Sequence, residues 1–166
     1  MIPIITVIGK TGCGKTTVIE KLIPEFRNQG FKIATIKHHS HRGFDIDQPG
    51  KDSWRFAQAG SDQVIIASPD KIATYRNIEQ ELSLDEILLP IRDVDIVLAE
   101  GYAKANKPAI EIIRKANSQE LIGTIEQRIA LVSDCTLDLK VPLFGLEEIS
   151  DLAGFILNYF GLPQKT

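Results

Sequence analysis

The first apolar run of the chain, IITVI at positions 4–8, is β-branched and interrupted only by Thr6, the pattern of a strand buried on both faces of a parallel sheet. A glycine-rich stretch follows it. Val18, Ile19, Leu22, Ile23 and Phe26 then recur at helical spacing, which predicts a helix over 15–29 with Gly30 placed to stop it. Pro24 falls inside that helix and has no N–H for its ladder, so a kink is expected there. Apolar, β-prone runs at 32–36, 63–67, 72–75, 96–99, 110–113 and 129–132 predict further strands, and helical patterns at 51–59, 84–91 and 146–159 predict further helices. Strands alternating with helices imply a three-layer α/β fold, a mostly parallel sheet with helices on both faces. The SPDK turn between 63–67 and 72–75 leaves no room for a helical crossover, so an antiparallel hairpin is expected within the otherwise parallel sheet.

Composition bounds this picture without altering it. The chain has 166 residues, 43% hydrophobic and 25% charged, which predicts one compact globular domain with a sizeable core over 1–166. A net charge of -3 argues against a general nucleic-acid or membrane-surface binder, which would normally carry a net basic face. Cys13 and Cys135 are far apart and form no CxxC pair, so neither a disulfide framework nor a cysteine metal site is indicated, and a reducing, cytoplasmic location is expected. No stretch approaches the roughly 20 apolar residues of a membrane helix.

The glycine-rich stretch carries the chemistry. Residues 9–16, GKTGCGKT, fit GxxxxGK[ST] and lie between a predicted buried strand and a predicted helix, the setting of a P-loop NTPase fold. Successive backbone N–H groups of Gly9, Lys10, Thr11, Gly12, Cys13 and Gly14 can surround phosphate oxygens, because glycine permits the close approach and the unusual dihedrals. Lys15 supplies positive charge to the β- and γ-phosphates, Thr16 offers its hydroxyl to Mg2+, and Thr17 adds a backbone N–H at the helix N-terminus. A dinucleotide-binding GxGxxG is excluded because Thr17 stands where its third glycine belongs. Lys10 occupies the position of the signature lysine of deviant Walker A loops. It is either a phosphate contact, made across a dimer interface, or an exposed loop lysine.

A P-loop site needs a second acidic group on a neighbouring strand. Ligands bind at the carboxyl ends of strands in such sheets, which favours Glu100 over Asp95 in DVDIVLAEGY and leaves Asp95 to cap the opposite end. The segment KHHSHRGFDIDQPGKDSW also leaves a strand's carboxyl end, as a switch or cofactor loop would. Its candidates are Lys37, His38, His41, Asp45 and Asp47. His38, His39 and His41 admit a metal, phosphate or pterin contact or a solvated loop, and Asp52 either an acidic role or a helix N-cap. Asp134, at the end of IALVSD, either accepts from the guanine N1 and N2 donors or caps its loop.

Taken together, GKTGCGKTT, IKHHSHRGFDIDQPGKDSWRFAQAGSD, VLAEGYAKANKPAIEIIR and ALVSD resemble the molybdopterin-guanine dinucleotide biosynthesis protein B (MobB) family, in the family's order and over nearly the whole chain. The resemblance implies a homodimeric adapter that binds GTP with Mg2+, hydrolyses it slowly at most, and assists the molybdopterin guanylyltransferase, with molybdoenzyme apoproteins or molybdopterin as further partners. It places Gly12 to Thr17 in the phosphate loop, Glu100 in the second acidic motif, and Asp47 and Asp52 in an FDxDxPGKDS segment. By similarity to dethiobiotin synthetase-like enzymes, Asp52 joins Thr16 and Glu100 at Mg2+. The sequence departs from the family at Lys37–His41, where KHTHH-like runs are common, and at Tyr102, where phenylalanine is common. The rival expectation is an ATP-dependent small-molecule kinase or synthetase of the dethiobiotin synthetase-like class, which needs the same P-loop.

Overall fold

The computed structural model describes residues 2–41, 43–163 and 165, and the chain divides into two compact units, Met1–His38 with Ser83–Thr166, and His39–Leu82. The first unit contains β1 (Ile4–Ile8), α1 (Lys15–Asn28), β2 (Ile33–Lys37), α3 (Leu84–Leu88), β5 (Ile96–Glu100), β6 (Ala109–Ile113), β7 (Arg128–Ser133), β8 (Leu143–Phe144) and α4 (Ile149–Tyr159). Its six strands form one sheet in the order β2-β5-β1-β6-β7-β8, with every pairing parallel. This is the three-layer architecture that the alternation of elements predicts.

Side-chain alternation along the central strands explains the layers. Ile5, Val7, Ile96 and Leu98 enter one cluster with Val18, Leu22 and Phe26 of α1 and Leu152 and Ile156 of α4. Ile4, Val97 and Ala99 enter the other with Leu84 of α3. Successive residues of a strand face opposite sides, so a strand with two apolar faces requires helices on both.

Element ends have local causes. Helix α1 begins directly after Gly14, whose φ of 96° is left-handed, and continues past Pro24 to Asn28. The proline therefore does not end the helix, whose Leu22 and Phe26 are held in the core on either side of it. Helix α3 opens with a capping box: Ser83 Oγ accepts from Glu86 N–H while Glu86 accepts from Ser83. Helix α4 starts at Ile149, later than the expected 146, because residues 146–147 form a turn closed by the Glu148 N–H on the Gly145 carbonyl and the Gly145 N–H on the Glu148 carboxylate; before it, residues 143–144 add the short parallel strand β8, too brief for periodicity to reveal.

The second unit contains α2 (Asp52–Gln58) and the hairpin of β3 (Gln63–Ala67) and β4 (Ile72–Arg76). The hairpin is antiparallel as predicted, but it forms a sheet of its own instead of joining the parallel one. Ser68 at its turn accepts from Lys71 N–H and donates toward Asp70, closing the reversal locally.

Candidate functional site

The glycine-rich P-loop leaves the carboxyl end of β1, and its shape is imposed by the neighbouring strand. Gly9 has φ 143°, and a Cβ there would lie 2.5 Å from the Ile112 carbonyl oxygen of β6. Only glycine fits so close to another backbone. The Lys15 ammonium folds back over the loop, donating to the Gly9 carbonyl at 3.0 Å and the Lys10 carbonyl at 2.9 Å. Thr16 and Thr17 sit in the first turn of α1, where backbone N–H groups have no partner in the helix. Cys13 is buried with its amide directed to the Lys10 carbonyl. Burial pushes its thiol up against the opposing charge of Lys15, so Cys13 is a packing residue and not a nucleophile.

Glu100 lies where strand polarity predicts. At the end of β5 it accepts the Thr16 hydroxyl on Oε2 at 2.8 Å, while the Lys37 ammonium lies 3.5 Å from Oε1. Lys37 ends β2 in direct register with Glu100. The backbone N–H of His38 donates to the Glu100 carbonyl, and the His38 ring lies against Tyr102 with ring centroids 4.7 Å apart and the planes tilted by 38°. A Cβ on Gly101, which has φ 91°, would meet His38 at 3.0 Å, so that turn also requires glycine. The paired hydroxyl and carboxylate are hard oxygen donors of the kind Mg2+ takes, and the residues present fit that ion. Asp95 stands at the other end of β5, accepting from the Lys165 ammonium and from Lys32 N–H, which hold its carboxyl below the usual range.

Three residues on the connection after β6, none of them singled out in the sequence, clasp the loop. Asn117 Nδ2 donates to the Thr11 carbonyl at 2.9 Å, Glu120 pairs with Lys10 at 2.9 Å, and Arg114 Nη1 lies 3.8 Å from where a Cβ of Gly14 would be. Lys10 is thus tied within its own chain, as a loop lysine would be. Asp134, at the end of β7, accepts from Lys115 N–H on one oxygen at 2.7 Å and from Arg114 Nε on the other at 2.9 Å. Those two donors, the amide first, hold its carboxyl below the ordinary range. A basic residue ending a strand beside the P-loop strand is the signal that would have pointed to Arg114.

The remaining candidates belong to the second unit. Asp47 accepts from the Tyr75 hydroxyl at 2.9 Å and from Gln48 N–H, and hydrogen bonds from Ser53 and Tyr75 lower its pKa. It ties the FDIDQPG loop to the hairpin. Asp52 is the first residue of α2, exposed and 3.6 Å from Arg55. His39 Nδ1 is 2.9 Å from the His41 carbonyl, and Asp45 is exposed. Among the described residues no three His, Cys, Asp or Glu side chains gather to hold a metal ion.

Comparison with known proteins gives this arrangement its context. The family model for molybdopterin guanine dinucleotide synthesis protein B matches residues 4–134. The chain is 34% identical over 160 residues to the molybdopterin-guanine dinucleotide biosynthesis adapter protein of Haemophilus influenzae, covering 95% of this chain and 89% of that one. With the protein of the same name from Escherichia coli the identity is 34% over 165 residues, covering 96% and 94%. A crystal structure of molybdopterin-guanine biosynthesis protein B superposes with a TM-score of 0.76 at 32% identity, covering 94% of this chain and 99% of that one. The matches run far beyond the P-loop and through both units, and on that extent the chain belongs to the MobB family.

Proposed function

We propose that this chain is a GTP-binding adapter in the formation of molybdopterin guanine dinucleotide, a single nucleotide-binding domain that acts as a cytoplasmic homodimer beside the molybdopterin guanylyltransferase. The observation that carries the nucleotide part is the Thr16 hydroxyl resting on Glu100 at 2.8 Å, which sets a Mg2+-ready oxygen pair next to the phosphate loop. Bound Mg2+ supplies charge neutralisation for the phosphates. On nucleotide binding Lys15 exchanges the Gly9 and Lys10 carbonyls for phosphate oxygens, and the loop amides close around them. The adapter reading stands over an ATP-dependent kinase because relatives matched along nearly all of this chain carry the adapter name.

Calorimetric titration with GTP, GDP and ATP, with and without Mg2+, tests this reading, together with a guanylyltransferase pull-down. GTP should bind more tightly than ATP, and Glu100→Gln should weaken the Mg2+-dependent part by about tenfold or more. Adenine preference with rapid phosphate release would overturn it.

The homodimer is supported by the second unit. Of the twelve large hydrophobic residues exposed among those described, seven lie within His39–Leu82: Phe44, Ile46, Phe56, Ile65, Ile66, Ile72 and Ile78. Val64 is the buried hydrophobic residue described there, and both hairpin strands are sheet edges. An apolar surface on this scale with open edges marks an association face. Sedimentation should show a dimer that Ile65→Lys with Ile72→Lys converts to monomer; a monomeric wild type at micromolar concentration would refute it.

A further inference from the structure

Beside the clasped loop, the ends of β7 and β8 frame an open cleft of about 440 Å³, walled by Asp134, Cys135, Thr136, Leu143, Leu146 and Glu148. One side chain links it to the phosphate loop: Arg114 binds Asp134 through Nε and reaches Gly14 with Nη1. A nucleotide whose phosphates occupy Gly12 to Thr17 therefore has this cleft as a neighbour of its base. Leu143 and Leu146 offer apolar surface to the faces of a flat ring, and two carboxylates stand at its edge.

The two carboxylates are not equivalent. Both oxygens of Asp134 already accept N–H donors, from Arg114 and from Lys115. Glu148 accepts the Gly145 N–H on Oε2 at 2.6 Å, and its other oxygen accepts nothing among the described residues. Guanine presents N1–H and N2–H donors along one edge, which complement a carboxylate, whereas adenine presents the bare N1 acceptor there, which a carboxylate repels.

Resting on the nucleotide-binding reading above, we propose that this cleft is the purine pocket and that Glu148, rather than Asp134, is the carboxylate that recognises guanine. Asp134 is a positioning residue that fixes Arg114 between the pocket and the loop.

The test compares wild type, Glu148→Gln and Asp134→Asn by titration with GTP, xanthosine triphosphate, ATP and inorganic tripolyphosphate. Xanthine carries a carbonyl where guanine has its amino group, so the side-chain N–H of Glu148→Gln should donate to it. In that variant GTP should bind about tenfold or more weakly and xanthosine triphosphate correspondingly better, with tripolyphosphate unchanged as the check on fold and loop. Thr136→Trp, which fills the cleft from an exposed position, should weaken every nucleotide but not tripolyphosphate. A switch to xanthosine triphosphate in Asp134→Asn and not in Glu148→Gln would overturn the assignment, as would a GTP preference that survives both. A wild type that binds tripolyphosphate but no nucleotide preferentially would fail the GTP reading itself, before any variant is made.

Discussion

Lys15→Ala is expected to lower GTP affinity about a hundredfold, measured by calorimetry in the presence of Mg2+. The expectation follows from where the ammonium sits: its hydrogen bonds go to the Gly9 and Lys10 carbonyls at 3.0 and 2.9 Å. Those carbonyls lie at the loop mouth, so the side chain can leave them for phosphate oxygens without dismantling any core. Hydrogen bonds to charged groups contribute roughly 1.5–3 kcal/mol each, and a hundredfold loss corresponds to about 2.7 kcal/mol. The fold should be unaffected, with an unchanged thermal midpoint.

Lys10→Ala provides the internal comparison. Its partner is Glu120, and the two side chains are 40% and 68% exposed. Pairs this open contribute little because water and salt screen them. Affinity should therefore fall far less than in Lys15→Ala. An equal loss would instead place Lys10 on phosphate, the role its position in the deviant Walker A pattern suggested.

The largest stability effect is expected at Glu111→Ala, with a loss of about 3–5 kcal/mol and a thermal midpoint lower by about 10 °C in a melting experiment. Glu111 lies fully buried in β6. It accepts from Ile122 N–H at 2.5 Å, Gly123 N–H at 3.1 Å and Arg128 Nε at 2.6 Å. Arg128 in turn donates to the Gly123 carbonyl at 2.6 Å. Removing the carboxylate leaves a buried guanidinium and two amides without their acceptor, and the cost of that exceeds any favourable term the pair contributed. Glu111→Leu combined with Arg128→Met should recover much of the loss, since it leaves no buried charge; a double variant no better than the single would refute this account. The same carboxylate holds the far end of the connection that clasps the P-loop through Arg114, Asn117 and Glu120, so Glu111→Ala should also weaken GTP binding.

The strands of the main sheet were legible in sequence because each of β1, β5, β6 and β7 is an apolar, β-branched run, and Glu111 is the charge that falls in a strand interior instead of at an end, as Glu100 and Arg128 do. That charge was itself a sign of a buried partner, although nothing local identified Arg128. The strand β8 was not legible: two residues carry no period, and their conformation depends on pairing with Leu131 and Val132. The hairpin was visible through its turn, but its separation from the parallel sheet was not, since turn chemistry specifies which two strands pair and not which sheet receives them.

At the site, the place of the 9–16 loop between strand and helix and the position of Glu100 beside it were readable because each depends on local spacing or on strand polarity. A GxxxxGK[ST] loop must lie between strand and helix, and a parallel sheet gathers the carboxyl ends of its strands on one edge. The tertiary structure alone decided which side chains meet there. Thr16 finds Glu100 across 84 positions and Asn117 finds Thr11 across 106, and it turns Asp134 onto Arg114 while Glu148 faces the cleft with an oxygen unengaged by any described residue. Local patterns cannot carry such choices, because a hydrogen bond is selected by distance and direction in space, and those are set only when the sheet has brought its strand ends together.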